Sequence, residues 1–148
     1  MPRDTPLSEI ILRKYERPYN IDRRQLVKKI CLSLGLLQPG DSRDVIVDIL
    51  MVLLDEKERK NKLTSDDIKL KVEEMRKKHN LEMRGIAESN IRRQLKRLRD
   101  IMLVDKQSNL YFISEFETLN NLFENKIEKL LVQQSVERVK EYLRELEK

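Results

Sequence analysis

Residues Gly85–Ile113 read GIAESNIRRQLKRLRDIMLVDKQSNLYFI, and this stretch decides the fold. Five basic residues lie between Arg92 and Arg99, yet apolar residues recur among them at helical spacing. This spacing predicts a helix over about 87–102 with one buried stripe, formed by Ile91, Leu95, Leu98 and Met102. The second half of the stretch has two short β-prone runs around a polar turn at 106–109, which is typical of a hairpin.

The basic helix has an exposed face of small polar groups and long cations. Ser89, Arg93 and Lys96 lie nearly opposite the apolar stripe, with Asn90 and Arg97 to one side. A DNA major groove is read by such groups, since Arg can engage guanine, Asn can engage adenine, and flanking cations hold phosphates. The pattern therefore favours a polyanion-binding surface.

The net charge of +5 is unevenly distributed along the 148 residues. Residues 84–100 hold six basic side chains against Glu88 and Asp100, whereas residues 115–148 carry a small acidic excess. A localised basic excess suits a nucleic acid, because neutralised phosphates release their condensed counterions.

Two helices are predicted before the first Gly-containing turn. Thr5–Pro6 predicts the start of a short helix that Pro18 ends. Asn20 or Asp22 then opens a second helix that ends at Gly35. The turn LLQPGD that follows is the strongest internal boundary.

Three further helices have start signals. Ser42 is the expected N-cap of a third helix, whose predicted core positions are Val45, Ile46, Ile49, Leu50 and Leu53. Thr64 and Asp67 form a capping box for a fourth helix. Ser114 and Glu117 form another for the last helix. Together with the stretch at 85–113, these signals predict a mainly α fold with a small β-hairpin wing.

The order helix, helix, turn, helix, hairpin resembles a winged helix-turn-helix. ESNIRRQLKRLRDIMLV is also similar to the recognition helix and first wing strand of such regulators, and the overall layout is nearest to the MarR-like families of prokaryotic and archaeal type. The resemblance covers residues 42–114, as a DNA-binding domain. Outside it, the residues themselves predict an N-terminal helical arm at 1–41, with N-terminal helices for packing and dimerisation, and a long C-terminal dimerisation helix at 115–148.

Carried over to this sequence, the resemblance assigns roles to seven residues. It makes Ser89, Asn90 and Arg93 readers of base edges in double-stranded DNA. The expected contacts to the DNA backbone are Arg92, Lys96 and Arg97 from the helix and Lys106 from the wing.

The C-terminal segment suggests self-association. A continuous helix over 115–148 would be roughly 50 Å long at 1.5 Å per residue, with apolar residues on one side. Such a helix needs a partner, so we expect a homodimer that presents two recognition helices to successive major grooves. QQS at 133–135 interrupts the apolar seam, and a bend or break is expected there. Folding back of this helix onto the N-terminal helices is the alternative.

Other functional classes have little support in the sequence. Cys31 is the single cysteine and His79 the single histidine; both are expected to have structural roles, so we expect no metal, no cofactor, no small-molecule ligand and no catalysis. No signal peptide or membrane span is evident, so a cytoplasmic protein without membrane contact is expected. The main hypothesis is a sequence-specific transcription regulator that binds DNA as a homodimer. The rival is a winged-helix module that binds protein within a larger assembly.

Overall fold

The computed structural model describes residues 3–148 of the chain. Its elements, in chain order, are α1 (Arg23–Ser33), α2 (Val45–Lys57), α3 (Ser65–Lys78), α4 (Glu88–Asp100), β1 (Val104–Gln107), β2 (Leu110–Ile113), a 3₁₀ turn (Ser114–Phe116), α5 (Leu119–Leu122), a π-helical segment (Phe123–Val132) and α6 (Gln133–Leu146). The prediction of a mainly helical chain with a small hairpin is confirmed.

The hairpin is antiparallel and recruits a third segment. Val104 lies opposite Ile113, and the two strands are joined by the two residues Ser108 and Asn109. Leu63, between α2 and α3, pairs with Tyr111: the Leu63 N–H donates to the Tyr111 carbonyl at 3.0 Å, and the Tyr111 N–H donates back at 2.7 Å. This bridge fixes the hairpin beside the start of α3.

Helix α2 is the centre of the core. The five predicted core residues of this helix are all buried, and so are Val47 and Val52 on its other sides. Helices α1, α3 and α4 and strand β2 all contact α2. Helix α2 is enclosed on nearly every side. The predicted single apolar face therefore accounts for only part of the surface that α2 buries.

A buried ion network links α2 to its neighbours. The Asp48 carboxylate is fully buried on α2 and accepts hydrogen bonds from the guanidinium groups of Arg24 on α1 and Arg76 on α3. Asp44 accepts from both arginines as well, at 3.2 and 3.1 Å. Arg76 is itself buried and also donates through Nε to the Glu82 carbonyl. These bonds fix α1, α3 and the turn before α4 around one pair of carboxylates.

The predicted helix at Thr5–Pro6 is wrong within the described residues, because residues 3–21 form a non-helical strap. The strap is held by Arg13, whose backbone N–H donates to Ser33 O at 2.8 Å. The Arg13 guanidinium donates to the carbonyls of Leu32 and Leu37, at 2.9 and 3.2 Å. These acceptors lie at the end of α1 and in the turn after it, so contacts distant in sequence replace a local helix. Within residues 3–41 the N-terminal arm thus contains one helix, α1.

Two predicted helix starts are confirmed. Asp22 caps α1, since its carboxylate accepts from the Gln25 N–H at 2.8 Å. Thr64 and Asp67 form a reciprocal capping box at α3. Ser42, in contrast, does not cap α2, which begins after Asp44.

The predicted capping box at Ser114 and Glu117 is wrong. Ser114 is buried; its hydroxyl donates to Asp105 and accepts from Lys126, so it is not free to cap a helix. The helix begins instead after Thr118, whose hydroxyl accepts from the Asn121 N–H at 3.2 Å.

From Leu119 to Leu146 the chain forms one continuous helical rod, which we call the C-terminal rod. The helix passes through Gln133–Ser135 without a break, so of the bend or break expected there, the break is wrong. The backbone hydrogen bonding of the rod changes at this point: π-helical bonding ends at Val132, and α-helical bonding begins at Gln133. The first half of the rod packs on the core through Leu122, Ile127 and Leu131, whereas α6 has no buried residue.

Cys31 is fully buried in the core, and burial raises the pKa of its thiol to about 12. Since the thiolate is the reactive form, this thiol is protected from modification in the folded chain. Across residues 3–148, no helix has the length and apolar character needed to cross a membrane.

Candidate nucleic-acid interface

Helix α4 is divided sharply between a buried and an exposed side. Ile91, Leu95 and Leu98 are fully buried, which confirms these three members of the predicted stripe. The fourth, Met102, is wrong: α4 ends at Asp100, and Met102 follows it with a φ of +67° and is only partly buried. Ser89 and Arg93 are exposed on the other side. Three apolar anchors therefore fix the rotation of the helix about its axis, and this rotation places the basic face in solvent.

Ser89 and Arg93 are the freest of the predicted base readers. Within residues 3–148, neither side chain takes part in a hydrogen bond, and Arg93 forms no ion pair. An exposed guanidinium without a partner keeps all five of its donors for a ligand. Both residues are available without the loss of an internal contact.

Asn90 is already engaged in the fold. Its Nδ2 donates to the Gly85 carbonyl at 2.7 Å, and its Oδ1 accepts from Gln94 Nε2 at 3.1 Å. Gly85 has a φ of +82°, and a Cβ there would lie 3.1 Å from Asn90 Nδ2 and 3.3 Å from Val45 Cγ2. The amide thus holds the close turn that leads into α4, and it could read a base only by giving up these bonds.

Arg92 and Lys96 each have an acidic neighbour one turn away on the same helix. Arg92 Nη1 lies 2.7 Å from Glu88 Oε1, and Lys96 Nζ lies 3.2 Å from Asp100 Oδ2. Both pairs are exposed, and an i,i+4 pair of this kind contributes only about 0.3–0.5 kcal/mol. The two cations can therefore exchange their carboxylates for a phosphate at little cost.

Arg97 connects α4 to the turn after α1. It is half-buried and donates to Gln94 Oε1 at 2.9 Å and to the Gly35 carbonyl at 3.1 Å. Both acceptors are neutral, so the bonds orient the guanidinium without cancelling its charge.

A cleft of about 330 Å³ adds a cation that the sequence reasoning missed. It is lined by Arg43, Arg93 and Arg97, with Asn90 and Gln94 between them. Arg43 lies just before α2 and its Nε is 3.6 Å from Asp41 Oδ1. Since Arg43 is 50 residues from Arg93 along the chain, only the packing of α2 against α4 brings the two together.

The hairpin carries the predicted Lys106 and lies beside a second cation, Lys62, that the sequence reasoning missed. Lys106 on β1 is exposed, with its ammonium 5.6 Å from the centroid of the Tyr111 ring. Lys62 is brought to the hairpin by the pairing of Leu63 with Tyr111; Lys62 Nζ donates to Gln107 Oε1 at 2.6 Å and lies 4.7 Å from the Phe112 ring centroid. Because side chains alternate between the two faces of a strand, Lys62 contacts the face with Gln107 and Phe112, whereas Lys106 and Tyr111 lie on the other. The hairpin therefore has two lysines, one on β1 and one from the segment between α2 and α3.

Two clefts group these cations: Arg43, Arg93 and Arg97 line one together with Asp41, and Lys96, Arg99 and Lys106 line the other together with Asp100 and Asp105. We use the name basic face for the exposed polar and basic residues of this region, with Arg97 half-buried: Ser89, Arg92, Arg93, Lys96, Arg99, Lys106, Lys62 and Arg43. Comparison of the chain with protein-family models, with curated proteins and with solved structures finds no match.

Proposed function

We propose that this chain is a winged helix-turn-helix protein of MarR-like layout that binds double-stranded DNA and regulates transcription. The element order supports this: α2, the Leu63 bridge, α3, α4, β1 and β2 follow one another as the helices and wing of that fold. Under this proposal, α4 is the recognition helix and the hairpin is the wing.

The strongest support for the proposal is the position of Arg93 on α4. Helix α4 buries an uninterrupted apolar stripe and presents Arg93 to solvent with no acidic partner among residues 3–148. A solvated structural helix would gain from pairing each cation, as Arg92 and Lys96 do. An exposed arginine without an acidic partner keeps the donors with which it can engage guanine in the major groove.

The roles within the proposal follow the geometry. Arg93 and Ser89 read base edges, and Asn90 orients the start of α4 and contacts a base only after its bond to Gly85 opens. Arg92, Lys96, Arg97 and Lys106 contact phosphates, joined by Arg43 at the cleft and Lys62 at the wing.

The regulator acts as a homodimer through the C-terminal rod. Two copies related by a two-fold axis would place two α4 helices in successive major grooves. Occupancy of a promoter site would then block or recruit polymerase.

Replacement of Arg93 by alanine tests the recognition role. A duplex selected from a random library and a scrambled duplex are compared by fluorescence anisotropy. Arg93→Ala should cost about 1–3 kcal/mol on the selected duplex, or about five- to 150-fold in Kd, and should reduce the preference over the scrambled one. Arg59→Ala removes the same charge from an exposed position that follows α2 and lines a different cleft, with Glu74 and His79, and should leave both affinities unchanged.

The rival role as a protein-binding module predicts a different outcome. In that case no duplex is selected, Arg93→Ala matches Arg59→Ala, and affinity for a partner protein depends on another surface. Equal effects of the two substitutions on DNA would therefore overturn the recognition role of α4.

A further inference from the structure

Three guanidinium groups meet in the cleft of about 330 Å³ between the start of α2 and helix α4, which we call the arginine cleft. They belong to Arg43, Arg93 and Arg97. Among residues 3–148, Asp41 is the one acidic side chain in the lining, so the lining has a formal charge of +2. Because this charge is concentrated on a concave surface, the cleft favours an anion over a neutral ligand.

The amide oxygens that line the arginine cleft already accept hydrogen bonds from other side chains of the described chain. Gln94 Oε1 accepts from Arg97 Nη1 at 2.9 Å, and Asn90 Oδ1 accepts from Gln94 Nε2 at 3.1 Å. Gln38 Oε1 accepts from Arg13 Nη2 of the strap at 2.9 Å. Each amide oxygen is thus engaged within the protein, and the groups left for a ligand are mainly donors.

Hydrogen-bond donors remain unused in the cleft. Within residues 3–148, Arg93 donates to no group, and Arg43 has only a contact of 3.6 Å between its Nε and Asp41 Oδ1. Asp41 Oδ1 itself accepts from the Arg43 backbone N–H at 2.9 Å. Arg97 uses two of its five N–H groups, both on neutral acceptors. The cleft therefore fits a ligand that offers several acceptors and few donors.

Arg97 is held in place by the fold itself. Its Nη2 donates to the Gly35 carbonyl at 3.1 Å, in the turn after α1. That turn is packed tightly against the strap, since a Cβ on Gly35 would lie 2.6 Å from Ile11 Cβ. The Arg13 guanidinium of the strap also donates to the Leu37 carbonyl at 3.2 Å. A guanidinium that neutral acceptors already orient loses less conformational entropy on binding and keeps its full charge.

We propose that the arginine cleft is a binding site for a terminal phosphate group, the dianion of a phosphomonoester. Such a group carries a charge of about −1.5 to −2 at pH 7 and three acceptor oxygens, which matches the charge of the lining and its unused donors. Arginine binds phosphate through two parallel hydrogen bonds, so three guanidinium groups provide donors for all three oxygens. A phosphodiester has a single charge and two free oxygens, and it matches the cleft less well.

The volume of the cleft limits the rest of the ligand. A volume of about 330 Å³ is near the lower end of the range for small-molecule sites. It has room for a phosphate and a small organic group. The phosphate would belong to a small phosphorylated metabolite or to the phosphorylated end of a DNA strand, and the chemistry of recognition is the same for both.

A bound phosphomonoester would occupy Arg93 of the basic face and Arg97 beside it. Ligand and duplex DNA would then compete for the same guanidinium groups, so the ligand would release the protein from DNA. This consequence rests on the proposed function, whereas binding of the phosphate does not. The inference replaces the expectation of no small-molecule ligand. Local sequence patterns could not indicate the cleft, since only the packing of α2 against α4 brings Arg43 to Arg93.

Nuclear magnetic resonance titration of the isotope-labelled full chain tests the site without DNA. The probes are methyl phosphate, a monoester, and dimethyl phosphate, a diester, each added at constant ionic strength in chloride. We expect methyl phosphate to give saturable shifts of the Nε–H signals of Arg93 and Arg97. Dimethyl phosphate should bind about tenfold more weakly, because it lacks one charge and one acceptor for a charged donor.

Two glutamine substitutions separate the cleft from general positive charge. Arg43→Gln removes one guanidinium from an exposed position, so folding should be retained, and it should weaken binding of methyl phosphate about tenfold. Arg99→Gln removes the same charge from an exposed position of α4 that lines the other cleft, and it should leave the affinity unchanged. Equal affinity for the two probes, or equal effects of the two substitutions, would overturn the inference.

Duplex binding by fluorescence anisotropy then distinguishes the source of the phosphate. Displacement by methyl phosphate of a duplex with hydroxyl ends, with no effect of phosphorylating those ends, identifies a free small ligand. Tighter binding of a duplex with phosphorylated ends, lost in Arg43→Gln, identifies the strand end. If no duplex binds while methyl phosphate does, the proposed function fails and the cleft stands. Duplex binding without binding of methyl phosphate would remove the cleft alone.

Discussion

Replacing Arg76 with methionine should lower the free energy of unfolding by about 3–5 kcal/mol, the usual loss when one partner of a buried ion pair is removed. The substitution keeps much of the aliphatic volume and removes the charge. It leaves the buried Asp48 carboxylate with Arg24 alone and frees the Glu82 carbonyl from its buried donor. Chemical denaturation followed by circular dichroism measures the loss.

Arg84→Met is the matched control for this prediction. Arg84 is exposed, and its Nε lies 3.6 Å from Glu82 Oε2, so its removal should change stability by less than about 0.5 kcal/mol. A loss below about 1 kcal/mol for Arg76→Met would show that the network does not hold α3 and the turn before α4.

Leu95→Ala should cost about 2–5 kcal/mol, the range for truncation of a fully buried leucine. Leu95 lies at the centre of the stripe that fixes α4 against the core. The cavity left behind loosens the helix whose outer face carries Arg93. The same denaturation experiment measures this loss.

Leu70→Ala removes the same atoms from a largely exposed position of α3 and should cost little. Equal losses for the two leucines would mean that α4 is not anchored by its apolar stripe, and the orientation of the basic face would lose its basis.

The parts of the fold that follow from local sequence signals were predictable. The stripe of α4, the Asp22 cap and the Thr64–Asp67 capping box each depend on successive residues three or four positions apart. Their physical cause is the period of the helix and the short reach of a capping side chain.

The strap was not predictable in this way. Thr5–Pro6 is a good local start for a helix, but the acceptors that hold Arg13 belong to Leu32 and Leu37. Likewise, Ser114 resembles a cap until the fold brings Lys126 to its hydroxyl. In both places a contact between distant segments outweighs a weak local preference.

The residues of the candidate site likewise fall into those that local spacing predicts and those that only contacts between distant segments bring into place. The face of α4 that carries Ser89 and Arg93 could be derived from helical spacing alone. Arg43 and Lys62 could not, because the packing of α2 on α4 and the Leu63–Tyr111 bridge bring them there. The internal role of Asn90 depends on the turn at Gly85, which no periodic pattern encodes.

Binding of duplex DNA as a function of salt concentration tests the central proposal most directly. We predict that the logarithm of the association constant falls linearly with the logarithm of salt concentration, with a slope of about −0.9 per phosphate neutralised. Lys96→Ala should reduce this slope by about one, and Lys148→Ala at the far end of the chain should leave it unchanged. Absence of duplex binding at low salt, or equal slopes for the two lysine variants, would contradict a DNA-binding role for the basic face.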